Sequence, residues 1–181
     1  MNKNLIMKKI LLILIATLTI LGCSQMKIDD FKDQKPELQL FEYFTGKTNA
    51  WGIFEDRFGN LRRQFKVSID GYIENDKLVL EEDFQYFDGE KDKRVWKIKK
   101  LNNGFYEGSA DDVVGIAKGQ ELGNAFTWTY DVDLKIGSRN LRVNFNDWMF
   151  RMDEKVIVNK ASVSKFGINI GTVTLFFVKE D

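Results

Sequence analysis

The 181-residue sequence has no histidine, one cysteine and one proline. Without histidine there is no Ser-His-Asp relay, no imidazole base poised near neutrality and no imidazole ligand for zinc or haem. A single cysteine, Cys23, excludes an intrachain disulfide and a dithiol redox pair. Charge of one sign is also missing, with 27 Lys and Arg against 27 Asp and Glu. No basic surplus is present to neutralise phosphates, which argues against nucleic acid as a partner. Catalysis would have to rest on carboxylates, lysines or tyrosines. Only Glu82, Asp111, Asp112 and Asp147 are worth considering, and no catalytic spacing joins them. The expectation is a non-enzymatic protein with no catalytic residue, cofactor or metal site.

The lone cysteine ends an apolar run. Lys8 and Lys9 precede the stretch 10–18, apolar but for Thr17, followed by Thr19, Ile20, Leu21 and Gly22. The run is short for a transmembrane helix, which needs about 20 residues. A basic start, a short apolar middle and a small residue before the cysteine are the layout of a secretory signal. Ile20-Leu21-Gly22-Cys23 resembles the bacterial lipobox, which implies cleavage before Cys23 and acylation of its sulfur. Two or more acyl chains anchor a protein stably where one does not. Ser24, not aspartate, follows, so the expected location is an outer-membrane lipid anchor with the domain facing the periplasm. The expected division is a signal peptide at 1–22, a lipidated cysteine with flexible tether at 23–35, and one folded domain at 36–181. With the leader's three lysines removed, 24 basic side chains face 27 acidic ones.

The polar stretch after Cys23 gives way to "PELQLFEYFTG". Pro36 suits a first helical position, Gly46 a stop, and Leu38, Leu40, Phe41 and Phe44 an apolar side, so the spacing predicts a helix over 36–45. From residue 49 onward short β-rich runs alternate with turn clusters such as Glu74-Asn75-Asp76-Lys77 and Asp88-Gly89-Glu90-Lys91. The predicted strands are 49–55, 61–70, 77–87, 93–101, 104–110, 112–118, 125–135, 140–152, 155–166 and 168–178. No gap is long enough for a crossover helix, so neighbours should be antiparallel. The fold class expected is all-β: an antiparallel up-and-down barrel of eight to ten strands, closed so that no edge is exposed. In "TVTLFFV" both faces are apolar, and the 36–45 helix is expected to cover the outer one.

Alternation assigns the interior. Leu78, Leu80, Phe84 and Tyr86 share one face, as do Phe126, Trp128, Tyr130, Val132 and Leu134. Glu82 falls in phase with Leu80 and Phe84, and Arg94 with Trp96, so both charges point inward from adjacent strands. They are either a polar anchor for a ligand headgroup or a structural ion pair near the rim. In "DVVGIAKGQELGNA" the glycines lack the context of a phosphate loop. They serve barrel curvature or leave interior space. In "NFNDWMFRMD" the apolar phase switches, which predicts a β-bulge near Asn146-Asp147 that turns Trp148 inward and re-aims Asp147. The expected ligand-binding set is Glu82, Arg94, Trp96, Phe126, Trp128, Tyr130, Asp147 and Trp148.

The succession "DRFGN", "LEEDFQYFDGE", "RVWKI", "DVVGIAKG…GNA", "NDWM" and "KFG" is similar to a family of bacterial lipoproteins, domain of unknown function 3833. The resemblance implies a lipocalin-like barrel on a lipid anchor and supplies no assigned site residues. Together these readings point to a periplasmic lipoprotein that binds a small apolar or amphipathic molecule, a fatty acid or lipid, inside the barrel. The alternative is an envelope scaffold or inhibitor with a solid barrel core that acts through protein contacts. Whether the interior is filled separates the two.

Overall fold

Side chains that alternate with a period of two need a sheet with one dry face, and ten such runs joined by tight turns can bury that face by closing on themselves. The computed structural model describes residues 26–136 and 139–180 and shows this closure. The leader and Cys23 lie outside the described residues. The strands are β1 (Gly46–Asp56), β2 (Leu61–Glu74), β3 (Lys77–Tyr86), β4 (Lys91–Lys100), β5 (Phe105–Ser109), β6 (Val113–Leu122), β7 (Ala125–Ile136), β8 (Arg139–Arg151), β9 (Val156–Lys165) and β10 (Ile168–Lys179). Each pairs antiparallel with its sequence neighbours, and β1 pairs with β10 to close the barrel. Turn chemistry supports the order: Asn75 and Asp76 both take positive φ, 49° and 60°, as a two-residue hairpin of the right hand requires. The core is built from residues between Leu38 and Phe177 in the sequence.

The expected helix is shorter and sits elsewhere. Residues 36–39 are not helical, and α1 spans only Leu40–Phe44. It does not cover the outside of β10. Leu38, Leu40, Tyr43 and Phe44 are buried and close one end of the barrel. Phe44 meets Phe177 edge-on at 5.4 Å between ring centroids. Four apolar side chains bury more surface in the barrel end than they could against one strand. The seat is specific, because a Cβ on Gly71 would fall 1.7 Å from the Phe44 carbonyl oxygen. Lys179 caps α1 by donating from Nζ to the carbonyls of Glu42 (2.7 Å), Tyr43 (2.9 Å) and Thr45 (3.2 Å). The outer face of β10 stays exposed, with Phe176 beside Trp51 of β1.

Two further expectations are corrected. β8 runs without a bulge at Asn146-Asp147, its register continuous with both β7 and β9. Leu141, Val143, Phe145, Asp147 and Met149 therefore keep one inward phase, while Trp148 and Phe150 face outward. What covers those two rings is Phe31, at 5.7 and 5.2 Å, from the 3-10 turn Ile28–Phe31. The described part of the stretch expected to be a free tether is thus folded onto the barrel wall. The glycines of β6 serve curvature: Gly115 has φ 76° inside the register shift between Val114 and Lys118. Gly119 opens no space, because Trp128 fills it. A Cβ there would lie 2.2 Å from the indole.

Candidate functional site

The barrel is not solid. A cavity of about 460 Å³ occupies its axis, within the ~300–1,000 Å³ range of small-molecule pockets. α1 and the turns after β2, β4, β6 and β8 share the sealed end. The other end carries the turns after β1, β3, β5 and β9. There the lining residues Phe54, Arg63, Tyr86 and Leu141 are only partly buried, so the cavity reaches solvent at that mouth.

Of the residues expected from sequence, Glu82, Arg94, Trp96, Phe126, Trp128, Tyr130 and Asp147 all line the cavity. Trp148 does not, since the unbroken alternation of β8 puts it outside against Phe31 and Phe150. The aromatic wall is continuous. Trp96 meets Trp128 at 5.6 Å and Tyr130 at 5.2 Å, and Tyr130 stacks on Phe145 at 5.4 Å. Such a wall offers apolar contact along its whole length.

The polar groups face the lumen from β3 and β4 on one side and from β7, β8 and β9 across it. Glu82 and Arg94 are register partners on β3 and β4. The Arg94 guanidinium nonetheless pairs with Asp112, Nη2 to Oδ2 at 2.5 Å and Nε to both oxygens at 3.1 Å. Glu82 accepts no hydrogen bond among the described residues. Burial pushes its carboxyl up to about 7, with Arg94 opposing and Asp112 and Asp147 adding to the rise. Burial also raises Asp147 to about 6, against hydrogen bonding from Asn159 and Tyr130 and the charge of Arg94. Burial works against the Arg94 charge, but Tyr130, Glu82 and Asp112 hold the guanidinium protonated. Tyr130 is raised well above the usual phenol range by burial and by Asp147.

Three contributors escaped the sequence reading. Asn159 donates from Nδ2 to Asp147 Oδ1 at 3.1 Å. It alternates in phase with Ile157, Ala161 and Val163, the signal that placed Glu82. Arg63, in phase with Phe65 and Val67, lies at the mouth with its guanidinium 3.6 Å from the Tyr86 ring centroid and ion pairs to Asp88 and Glu90. Asp112 was weighed only as a catalytic acid, whereas it holds Arg94. Around the same mouth Phe58, Phe87 and Phe166 stand exposed at three separate hairpin turns. Arg57 lies over Phe58 and Lys165 over Phe166, at 4.9 and 5.3 Å. Phe166 holds a positive φ of 51°, unusual for a bulky residue, while 93% exposed.

No group of three potential metal ligands occurs among the described residues. No helix among them is long and apolar enough to cross a membrane. The arrangement provides an apolar sleeve, an aromatic wall and a cluster of acceptors partway along it.

The model of a family described as proteins of unknown function, DUF3833, matches residues 17–179. No curated protein matches the chain. Among solved structures, the S-type phycobiliprotein lyase CPES from Guillardia theta is similar at a TM-score of 0.57 and 9% identity. The match covers 87% of this chain and 94% of that one. At that identity the likeness speaks for the lipocalin-like fold alone.

Proposed function

The chain belongs to the DUF3833 family, and we propose that it is a membrane-anchored carrier that holds one small apolar or amphipathic molecule, of lipid type, in the barrel. The cavity of about 460 Å³ carries this reading. Its size suits a single-chain or few-ring molecule. It also weighs against a solid-core scaffold, the alternative function. The fold likeness to a lyase of the phycobiliprotein system is in keeping with a barrel that accommodates a small hydrophobic ligand. The anchor is the acylated Cys23 on the outer membrane, with the barrel in the periplasm, supported by the signal-like order of residues 8–23. Exposed Phe58, Phe87 and Phe166 around the open mouth suit entry of a ligand from a bilayer, since aromatic rings flanked by cations favour the membrane interface. The bound molecule is carried, not transformed.

The test is native mass spectrometry of the anchor-free domain, exported behind its own leader with Cys23 replaced and purified from the periplasm, followed by extraction and identification of what dissociates. A single co-purified amphipathic species at one per chain, reduced by Trp128→Ala in a folded variant, is the expected result. Ligand-free protein that also fails to quench its tryptophan emission with apolar probes would contradict it.

A further inference from the structure

The polar part of the cavity is short of donors. Among its groups only Arg94 is a cation, and that guanidinium is committed to Asp112. Glu82 faces the cavity and accepts no hydrogen bond among the described residues. Asp147 and Asn159, 5% and 1% exposed, bind each other through one atom each and leave Asp147 Oδ2 and Asn159 Oδ1 buried without partners. The Asn159 orientation is fixed by chemistry, because turning the amide would aim its oxygen at the Asp147 carboxylate. Even with the Tyr130 hydroxyl turned onto Asp147, Asn159 Oδ1 and Glu82 remain acceptors without donors. A buried acceptor such as Asn159 Oδ1 is costly unless something supplies hydrogen, and the half-buried Glu82 carboxyl faces the same cavity.

We propose that the polar end of the ligand is a cationic nitrogen, a protonated amine, seated between Glu82, Asp147 and Asn159. An ammonium group has three donors and no acceptor, which supplies Asn159 Oδ1 and Glu82, the two acceptors without donors, and adds a donor to the Asp147 carboxyl. Its charge offsets the acidic excess of the cluster, and the rings of Trp96 and Tyr130 offer π faces to a cation. A fatty-acid carboxylate would add a further acid to a cavity whose two guanidinium groups already have acidic partners, Arg94 with Asp112 and Arg63 at the mouth with Asp88 and Glu90. The inference rests on the carrier reading and narrows it to amine-bearing amphiphiles.

Three probes of equal chain length separate the possibilities. Dodecylamine, dodecanol and dodecanoate, each below its micellar concentration, are titrated into residues 26–181 and followed by tryptophan emission and calorimetry. Dodecylamine is expected to bind at least tenfold more tightly than either other probe. Glu82→Gln combined with Asp147→Asn is expected to erase that preference. Should the double variant fail to fold, the ranking of the three probes on the wild-type protein decides alone. Dodecanoate or dodecanol binding as well as the amine overturns the amine assignment while leaving the carrier standing. Failure of all three to bind the folded protein removes the carrier reading itself.

Discussion

Glu82 stands directly across from Arg94 in the β3–β4 register, yet the guanidinium turns to Asp112, 2.5 Å away. The carboxyl it leaves behind is half-buried and lines the cavity, where desolvation raises it to about 7 from an ordinary 4.5. A carboxyl raised in the folded state keeps its proton longer there than in the unfolded chain. Stability is therefore unaffected below the unfolded value, falls as pH rises from about 4.5 to about 7, and carries the full penalty above.

From this, Glu82→Gln should stabilise the ligand-free protein at pH 8, by at most about 3 kcal/mol, and leave it nearly unchanged at pH 4.5. Urea unfolding of both proteins at the two pH values checks the difference. Equal stability of variant and wild type at pH 8 would show that Glu82 ionises freely.

The sealed end depends on α1. Phe44→Ala removes a buried ring packed on Tyr43 and Phe177, and should lower stability by about 3–5 kcal/mol. Lys179→Met keeps the aliphatic stem but leaves the carbonyls of Glu42, Tyr43 and Thr45 uncapped, a loss of about 1–2 kcal/mol. Amide exchange should speed up at residues 40–45 in the Lys179 variant before it does in β7 or β8. Uniform acceleration across the barrel would mean that α1 is no separate unit.

Gly119→Ala tests the packing of the aromatic wall without backbone strain, because Gly119 does not hold a positive φ. The new Cβ must displace Trp128, so a destabilisation of about 1–3 kcal/mol and a shift in tryptophan emission are expected. An unperturbed emission spectrum would mean that Trp128 does not fill that space.

The strands were legible because period-two alternation is a local signal, and the inward phase of Glu82 and Arg94 came with it. Turn pairs such as Asn75-Asp76 marked strand ends for the same reason. What failed was non-local. Leu38, Leu40 and Phe44 announce a buried side but not which surface buries it, and the doubly apolar "TVTLFFV" suggested the wrong one. Trp148 was misplaced because its cover, Phe31, is more than a hundred residues away in a segment whose polarity reads as a tether. The choice of Asp112 as partner of Arg94 depends on how β5 and its turn close over β4, which no spacing encodes.

The anchor is tested apart from the barrel. With Cys23→Ser, acyl labelling should disappear and the protein should leave the outer-membrane fraction, while wild type stays there and labels. Retention of the variant in that fraction, or unlabelled wild type, would contradict lipidation at Cys23.

The most direct test of carriage is to fill the cavity. Ala161 lines it, is 1% exposed, and is the register partner of Asp147. Ala161→Phe projects a ring into the lumen, and affinity for dodecylamine is measured by calorimetry on wild type and variant, with unfolding curves for both. The account predicts one molecule bound per wild-type chain and at least a tenfold weaker affinity in a variant that remains folded. Equal binding by the filled barrel would contradict it.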